Sequence, residues 1–331
     1  MDSLNLPILT KLLSAKSILL VGMGGGYDIF CGMPIYYELR KAGKKVILGN
    51  LTTSHLPKNT EGEQLNPHLV GIGQPNSGFL KRLSFAKTEK PINACEQHLV
   101  EFMANHYADK PAVWCVERTG VQPMLRSYQQ LIQKYEIDTV VLIDGGVDSL
   151  IKGDETEQGT LIEDILSIAA VHELKNVDKY LVCLGFGTER DVFYGDILEN
   201  IAALTKKGAY LGSCALLQEM ACYDFYEKSV LFAQNHADAV GTSVVNSSVI
   251  SAVRGEYGNA HLIPKTKDSL LWINPLMNLF WCFDLDKVAE WNLVVPHLKN
   301  TQTFDDVLKT YQAHQKLVTR RVVQNHIQFI G

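Results

Sequence analysis

No C-x-x-C pair occurs in the chain, although seven cysteines are present, at Cys31, Cys95, Cys115, Cys183, Cys214, Cys222 and Cys282. An odd, scattered set gives neither a disulfide framework nor a zinc site. It reads as buried, reduced thiols in a cytoplasmic protein, where free cysteine behaves as a small hydrophobe. There is no long run of Lys and Arg either. The 31 basic residues stand against 36 acidic ones, for a net charge of -5, so nothing follows a phosphate backbone and no nucleic-acid partner is expected. No stretch approaches the roughly 18 uninterrupted apolar residues of a membrane span. The opening MDSLNLPILTKLLSAK lacks the basic lead of a signal peptide; broken by Pro7, Lys11 and Lys16, it reads as a short helix. Internal repeats, low-complexity tracts and a clear linker are also missing, which favours a single domain over residues 1–331.

The common catalytic signatures are equally scarce. No G-x-S-x-G elbow holds a serine, and the ten histidines show no H-E-x-x-H or other tight ligand spacing. Each histidine therefore reads first as a surface or core residue, with His55 and His172 the two to follow. A P-loop needs Gly-Lys-Ser/Thr, which GGGYDIFCG does not supply.

What the chain does have is enough apolar material, 46% of 331 residues, for a large core. Short β-branched runs end in glycine or polar clusters: SILLVG, KKVILGN, AVWCVE, DTVVLIDGG, KYLVCLGFG and, as a further strand, ADAVGTSVV. Segments of helical period such as IFCGMPIYYELRKAG and VQPMLRSYQQLIQKYE lie between them. Strands apolar on both faces that alternate with helices predict an α/β fold, doubly wound around a mostly parallel sheet. Residues 52–90 are too long for an ordinary connection and read as a loop or lid insertion. From residue 263 the pattern turns helical and aromatic (SLLWINPLMNLFWCFDLDKVAEWN), which predicts a helical C-terminal extension over 263–331. Thr303 is expected to cap its last helix, with Asp305 and Asp306 in the first turn.

Ligands of open α/β sheets bind outside the carboxyl ends of the strands, so the unusual loops there are the candidates. The first holds Gly22, Gly24, Gly25 and Gly26, then Asp28. Without Cβ atoms its backbone amides can approach an anion at a helix N-terminus, while Asp28 can alternatively be that helix's cap. The second, LIDGGVDSLIKGDETEQGT, gathers Asp144, Gly145, Gly146, Asp148, Asp154 and Glu155. Clustered carboxylates bind a divalent cation, hold ribose hydroxyls or act as general base, and mutual repulsion raises one pKa. A solvated turn with Asp148 as helix cap is the alternative, and it suits Asp154 and Glu155 better than Asp144. The third, LGFGTERDVFYGD, offers Gly185, Gly187, Glu189 and Arg190; the arginine can fork onto a carboxylate or phosphate, or pair with a neighbouring acid. Further on, Thr242, Ser243, Ser247 and Ser248 either line a polar pocket or cap helices.

VGMGGGYDIF, DGGVDSLIKGDE and the following GTLIEDILSIAAV together resemble the signature of the domain-of-unknown-function family 1152. The resemblance spans most of the chain and is strongest over 19–51 and 140–171. It implies a Rossmann-like fold with the site between the glycine turn and the Asp144 to Glu155 loop, and it carries no settled reaction. Tyr27 stands where members often have a further glycine, and LTTSHL follows Asn50 where they have a Trp-Glu-Arg-like stretch.

The expected protein is an enzyme of hydrolase or transferase type acting on a small anionic metabolite, nucleotide-like or phosphorylated. Asp144, Asp148 and Glu189 are its candidate catalytic groups. Gly22, Gly24, Gly25, Gly26, Asp28, Asn50, Gly145, Gly146, Asp154, Gly185, Gly187, Arg190, Thr242 and Ser243 are its candidate ligand contacts. A divalent metal or a nucleotide is the cofactor class these residues suit, and no membrane is involved. Two alternatives stand beside it. An NAD(P)-linked oxidoreductase is favoured by the loose fit of Gly22 and Gly24 to G-x-G-x-x-G and opposed by Asn50, where an acid should meet the ribose. A non-catalytic metabolite-binding module is opposed by the dense acids. An apolar face left exposed on the C-terminal helices would favour a homo-oligomer.

Overall fold

Ser17–Gly22 (β1) and Thr139–Asp144 (β6) are buried at every position, which strands sustain only inside a sheet covered on both sides. The computed structural model, which describes residues 7–52, 63–73, 95–106, 111–236 and 241–321, shows that arrangement. β1 pairs in parallel with Lys45–Thr52 (β2) on one side and with β6 on the other. Val113–Glu117 (β5) continues the parallel core beyond β2, and Asp178–Leu184 (β7) continues it beyond β6. Antiparallel strands finish both ends. The hairpin Glu63–Asn66 (β3) and Leu69–Ile72 (β4) adds to β5, and Leu279–Asp284 (β9) followed by Tyr210–Ala215 (β8) adds to β7. Among the described residues nine strands run β3-β4-β5-β2-β1-β6-β7-β9-β8 in one mixed sheet, and the order reverses between β1 and β6.

Alternation along each strand sends successive side chains into two cores. Ile18, Leu20, Val141 and Ile143 enter one, beneath Pro7–Ser14 (α1), Asp28–Cys31 (α2), Met33–Lys41 (α3), Cys95–His106 (α4), Ala221–His236 (α8) and Val244–Val253 (α9). Leu19, Val21, Val140 and Leu142 enter the other. It lies beneath Val121–Tyr135 (α5), Ile162–His172 (α6), Tyr194–Lys206 (α7), Leu285–Trp291 (α10), Val295–Leu298 (α11) and Phe304–Leu317 (α12). In α5 the buried positions Val121, Met124, Tyr128 and Leu131 recur every three or four residues, the spacing of one helical face. The chain is thus α/β, with helices on both faces of the sheet.

Local sequence reading passes over β8 and departs from the structure in two further segments. The segment read as a strand around ADAVGTSVV is the start of α9 from Val244, and Ser243 caps it by accepting from the Asn246 amide at 3.1 Å; residues 237–240 lie outside the described residues. The aromatic run after residue 263 contains strand β9. Phe280 and Cys282 face one core and Trp281 and Phe283 the other, so the run is the two-faced apolar pattern of an inner strand. Of residues 52–90, only Thr52 and 63–73 are described, and 63–72 hold the hairpin. Thr303 does cap α12, in a reciprocal capping box with Asp306. All seven cysteines are free, six of them buried. Among the described residues no helix is long and apolar enough to cross a membrane.

Candidate functional site

The turn after β1 is stitched to the end of β6. The Met23 amide donates to the Ile143 carbonyl at 2.9 Å, and the Ser167 hydroxyl of α6 donates to the Met23 carbonyl at 2.7 Å. Gly25 and Gly26 take positive φ, 90° and 57°, which glycine adopts at no steric cost. Asp28 is the first residue of α2 and not its cap, a position held by Tyr27. Its Oδ2 instead accepts the Gly24 amide at 2.6 Å. The amide expected to face an anion is therefore taken by a carboxylate of the same turn, and α2, at four residues, adds little dipole. A Cβ on Gly22 would overlap Asn50 Oδ1. Asn50 Nδ2 donates to the Gly26 carbonyl at 2.9 Å and to Glu96 Oε1 at 2.7 Å, so this side chain braces the turn from below.

At the end of β6, Asp144 Oδ2 accepts the Ser149 hydroxyl and amide. The two following glycines let other carboxylates approach the backbone. A Cβ on Gly145 would fall 2.7 Å from Asp28 Oδ1, and one on Gly146 would overlap Glu189 Oε1. That Glu189 oxygen accepts the Val147 and Asp148 amides at 3.0 and 3.3 Å. Asp148 lies in a short 3-10 turn, Asp148–Leu150, and caps no α-helix; its Oδ2 accepts the Thr160 amide and hydroxyl at 2.9 and 3.1 Å.

A further carboxylate completes the group and is absent from the sequence-based candidates. Asp164, in the first turn of α6, is only 4% exposed, and its Oδ1 has no hydrogen-bond partner. Oxygens of Asp28, Asp144 and Asp164 lie within 4.8 Å of one another. The signal was present in GTLIEDILSIAAV: Leu161, Asp164, Ile165 and Ile168 recur at three- and four-residue spacing, so the acid stands on the buried stripe of the helix. An Asp in the first turn of a helix is also favoured by the helix dipole, so its position alone does not set it apart.

Desolvation raises the pKa of every acid in this group, because burial disfavours the charged form. Asp28 is pushed up to about 7 by burial, with the charge of Asp148 adding and the Gly24 and Gly145 amides opposing. Burial and the charges of Asp148 and Asp28 hold Asp144 well above the ordinary carboxylate range. Asp164 is raised in the same way by burial and by Asp148, Asp144 and Asp28, and Glu189 by burial, Asp148 and Asp144. Asp148 is raised by burial against the opposing Thr160 contacts. Among the described residues no Lys, Arg or His pairs with any of the five.

The remaining candidates fall elsewhere. Asp154 is engaged by Arg321 and by Lys152 at 3.0 Å, in an ion-pair cluster that includes buried Glu155. Gly185 and Gly187 give room to protein: their missing Cβ atoms would meet Val245 Cγ1 at 2.9 Å and Asn274 Nδ2 at 2.5 Å. Arg190 is exposed. Ser243 caps α9 and Thr242 offers its carbonyl to Lys265. Through α9 the glycine turn gains one support that sequence reading passed over: Asn246 donates to the Tyr27 carbonyl at 3.2 Å and accepts from the Cys31 thiol at 3.4 Å. His172 pairs with Asp286 at 2.7 Å, and His55 lies outside the described residues.

Fold and candidate site together define an α/β protein whose parallel strands gather a carboxylate cluster at their carboxyl ends, where the strand order reverses. The model of the family described as "protein of unknown function (DUF1152)" matches residues 19–320, and the chain belongs to that family. No curated protein and no solved structure matches it.

Proposed function

We propose that the protein is an enzyme of hydrolase or transferase type acting on a small anionic metabolite, phosphorylated or nucleotide-like, with its chemistry centred on Asp144 and its neighbouring carboxyls. The observation that carries this reading is the meeting of the Gly22–Gly26 turn with Asp28, Asp144, Asp148, Asp164 and Glu189. The parallel strands, in the order third, second, first, fourth, fifth, support a Rossmann-like reading of the sheet, with the cluster beyond the carboxyl ends of β1 and β6, where the order reverses and such folds bind ligands. Carboxyls whose pKa burial raises suit proton transfer: a protonated one gives a proton to a leaving group, and an ionised one takes a proton from an attacking hydroxyl or water. The dinucleotide alternative is weakened because Asn50, at the end of β2, is committed to Gly26 and Glu96.

The test is a panel of nucleotides and sugar phosphates incubated with the purified chain and divalent cations, with products followed by phosphorus NMR. Turnover of a phosphorylated compound, abolished in a folded Asp144→Asn variant, is the expected result. No turnover across the panel, or undiminished turnover in that variant, overturns the proposal.

A further inference from the structure

Three carboxylates come from three separate elements: Asp28 from the start of α2, Asp144 from the end of β6 and Asp164 from the first turn of α6. Their oxygens already lie within 4.8 Å of one another. Two oxygens on one hard cation are separated by at most about twice a bond of roughly 2.1 to 2.4 Å, so oxygens held within 4.8 Å are close enough to share one. Like charges held so close in a buried place repel, and among the described residues no cationic side chain offsets them. Asp164 supplies an independent sign. It is 4% exposed and its Oδ1 makes no hydrogen bond, yet that atom points at the shared space, 2.8 Å from where a Gly24 Cβ would stand. A buried, unpartnered acceptor is costly and calls for a partner. Two glycines let the carboxylates converge, since a Cβ on Gly24 or Gly145 would press on Asp28 or Asp164 oxygens.

We infer that Asp28, Asp144 and Asp164 bind one hard divalent cation of the Mg2+ or Mn2+ kind. The donors are all carboxylate oxygens, with no imidazole or thiolate among them, which selects such ions over zinc or copper. Three protein ligands leave the other positions of an octahedral ion for water and for a phosphate oxygen. A cation also resolves an electrostatic conflict, because an anionic substrate is repelled by bare carboxylates and attracted by a metal they hold. The role of the ion in turnover rests on the function proposed above; its binding does not.

The experiment is Mn2+ titration of the chelator-stripped full chain followed by electron paramagnetic resonance, without substrate. One bound ion per chain, displaced by Mg2+, is expected. Affinity should fall by at least about tenfold in Asp164→Asn and in Asp144→Asn, while the surface control Asp224→Asn binds as the original chain does. Absence of binding to the unaltered protein at millimolar Mn2+, a measurement that needs no variant to fold, overturns the site, as does unchanged binding in both cluster variants. A chain that binds Mn2+ but converts no phosphorylated compound keeps the metal site and loses the enzyme reading. Turnover that persists in excess chelator keeps the enzyme reading and removes the ion from its chemistry, while the binding titration alone decides the site.

Discussion

Gly24 and Asp164 occupy one space between them: a Cβ on the glycine would lie 2.8 Å from Asp164 Oδ1 and 2.8 Å from Asp28 Oδ2. Gly24 is not among the positive-φ glycines, so alanine fits its backbone. The atoms in the way are the ends of side chains, which can move. Gly24→Ala should therefore fold with a melting temperature within a few degrees of the original while displacing both carboxylates. A displacement of about 1 Å in a catalytic group costs roughly a hundredfold in turnover. Thermal melts and turnover measured on one preparation test this; full activity would show that the carboxylate positions do not matter.

Asp164→Asn should stabilise the protein in chelator. The substitution removes one of the mutually repelling carboxyls whose ionisation burial opposes, at nearly constant volume. A gain of about 1 kcal/mol is expected at pH 8, as is common when a functional site's stored strain is released. Urea unfolding in the presence of chelator provides the measurement, and a loss of stability would contradict the account of the cluster.

Gly120→Ala should fail for a reason unrelated to the cluster. Its Cβ would stand 2.5 Å from the Thr301 backbone carbon and oxygen, and the Gly120 amide donates to the Gln302 carbonyl at 3.2 Å. Backbone cannot step aside as a side chain does, so a cost of about 2 to 3 kcal/mol is expected from overpacking. A urea midpoint equal to that of the unaltered chain would refute this packing.

Arg321 ties the end of the described chain to the loop after β6, through Asp154, Glu155 and the Asn200 carbonyl oxygen of the side-chain amide. Burial works to raise the Asp154 pKa, but hydrogen bonds from Arg321 and Lys152 outweigh it and hold the carboxyl below its ordinary value. A depressed folded pKa adds stability above the ordinary value of about 4, and that contribution is lost as pH falls through the lowered one. Arg321→Ala should cost about 2 kcal/mol or more at pH 7, since it leaves buried Glu155 without its cation. The difference between the two proteins should shrink below about pH 4. A gap independent of pH would assign the loss to packing alone.

The sheet's parallel core was legible because its strands are apolar on both faces, a pattern that survives without any tertiary information. SILLVG and DTVVLIDGG became β1 and β6, and their terminal turns meet as the sheet rule requires. β9 was hidden because LFWCFD is short and aromatic and sits between helical patterns, where only its partners β7 and β8 decide its conformation. Asp28, Asp144 and Asp148 could be found since glycines mark their turns. Asp164 is marked in the sequence only by its place on the apolar stripe of GTLIEDILSIAAV, and that it points at Gly24 is revealed by the fold alone. The glycines themselves were read as clearing room for a ligand, whereas at Gly22, Gly145 and Gly146 the room is filled by the chain's own Asn50, Asp28 and Glu189.

Strand β9 lies between β7 and β8 but follows both in the chain. During synthesis the earlier strands leave the ribosome with a gap at that edge, and the gap closes only when residues 279–284 emerge. A nascent chain halted before Leu279 exposes one side of β7 and leaves β8 with no neighbour, a bare ladder open to other chains. Of the nine described strands β9 is the latest in the chain, so its insertion seals that edge of the sheet after every other strand has been made.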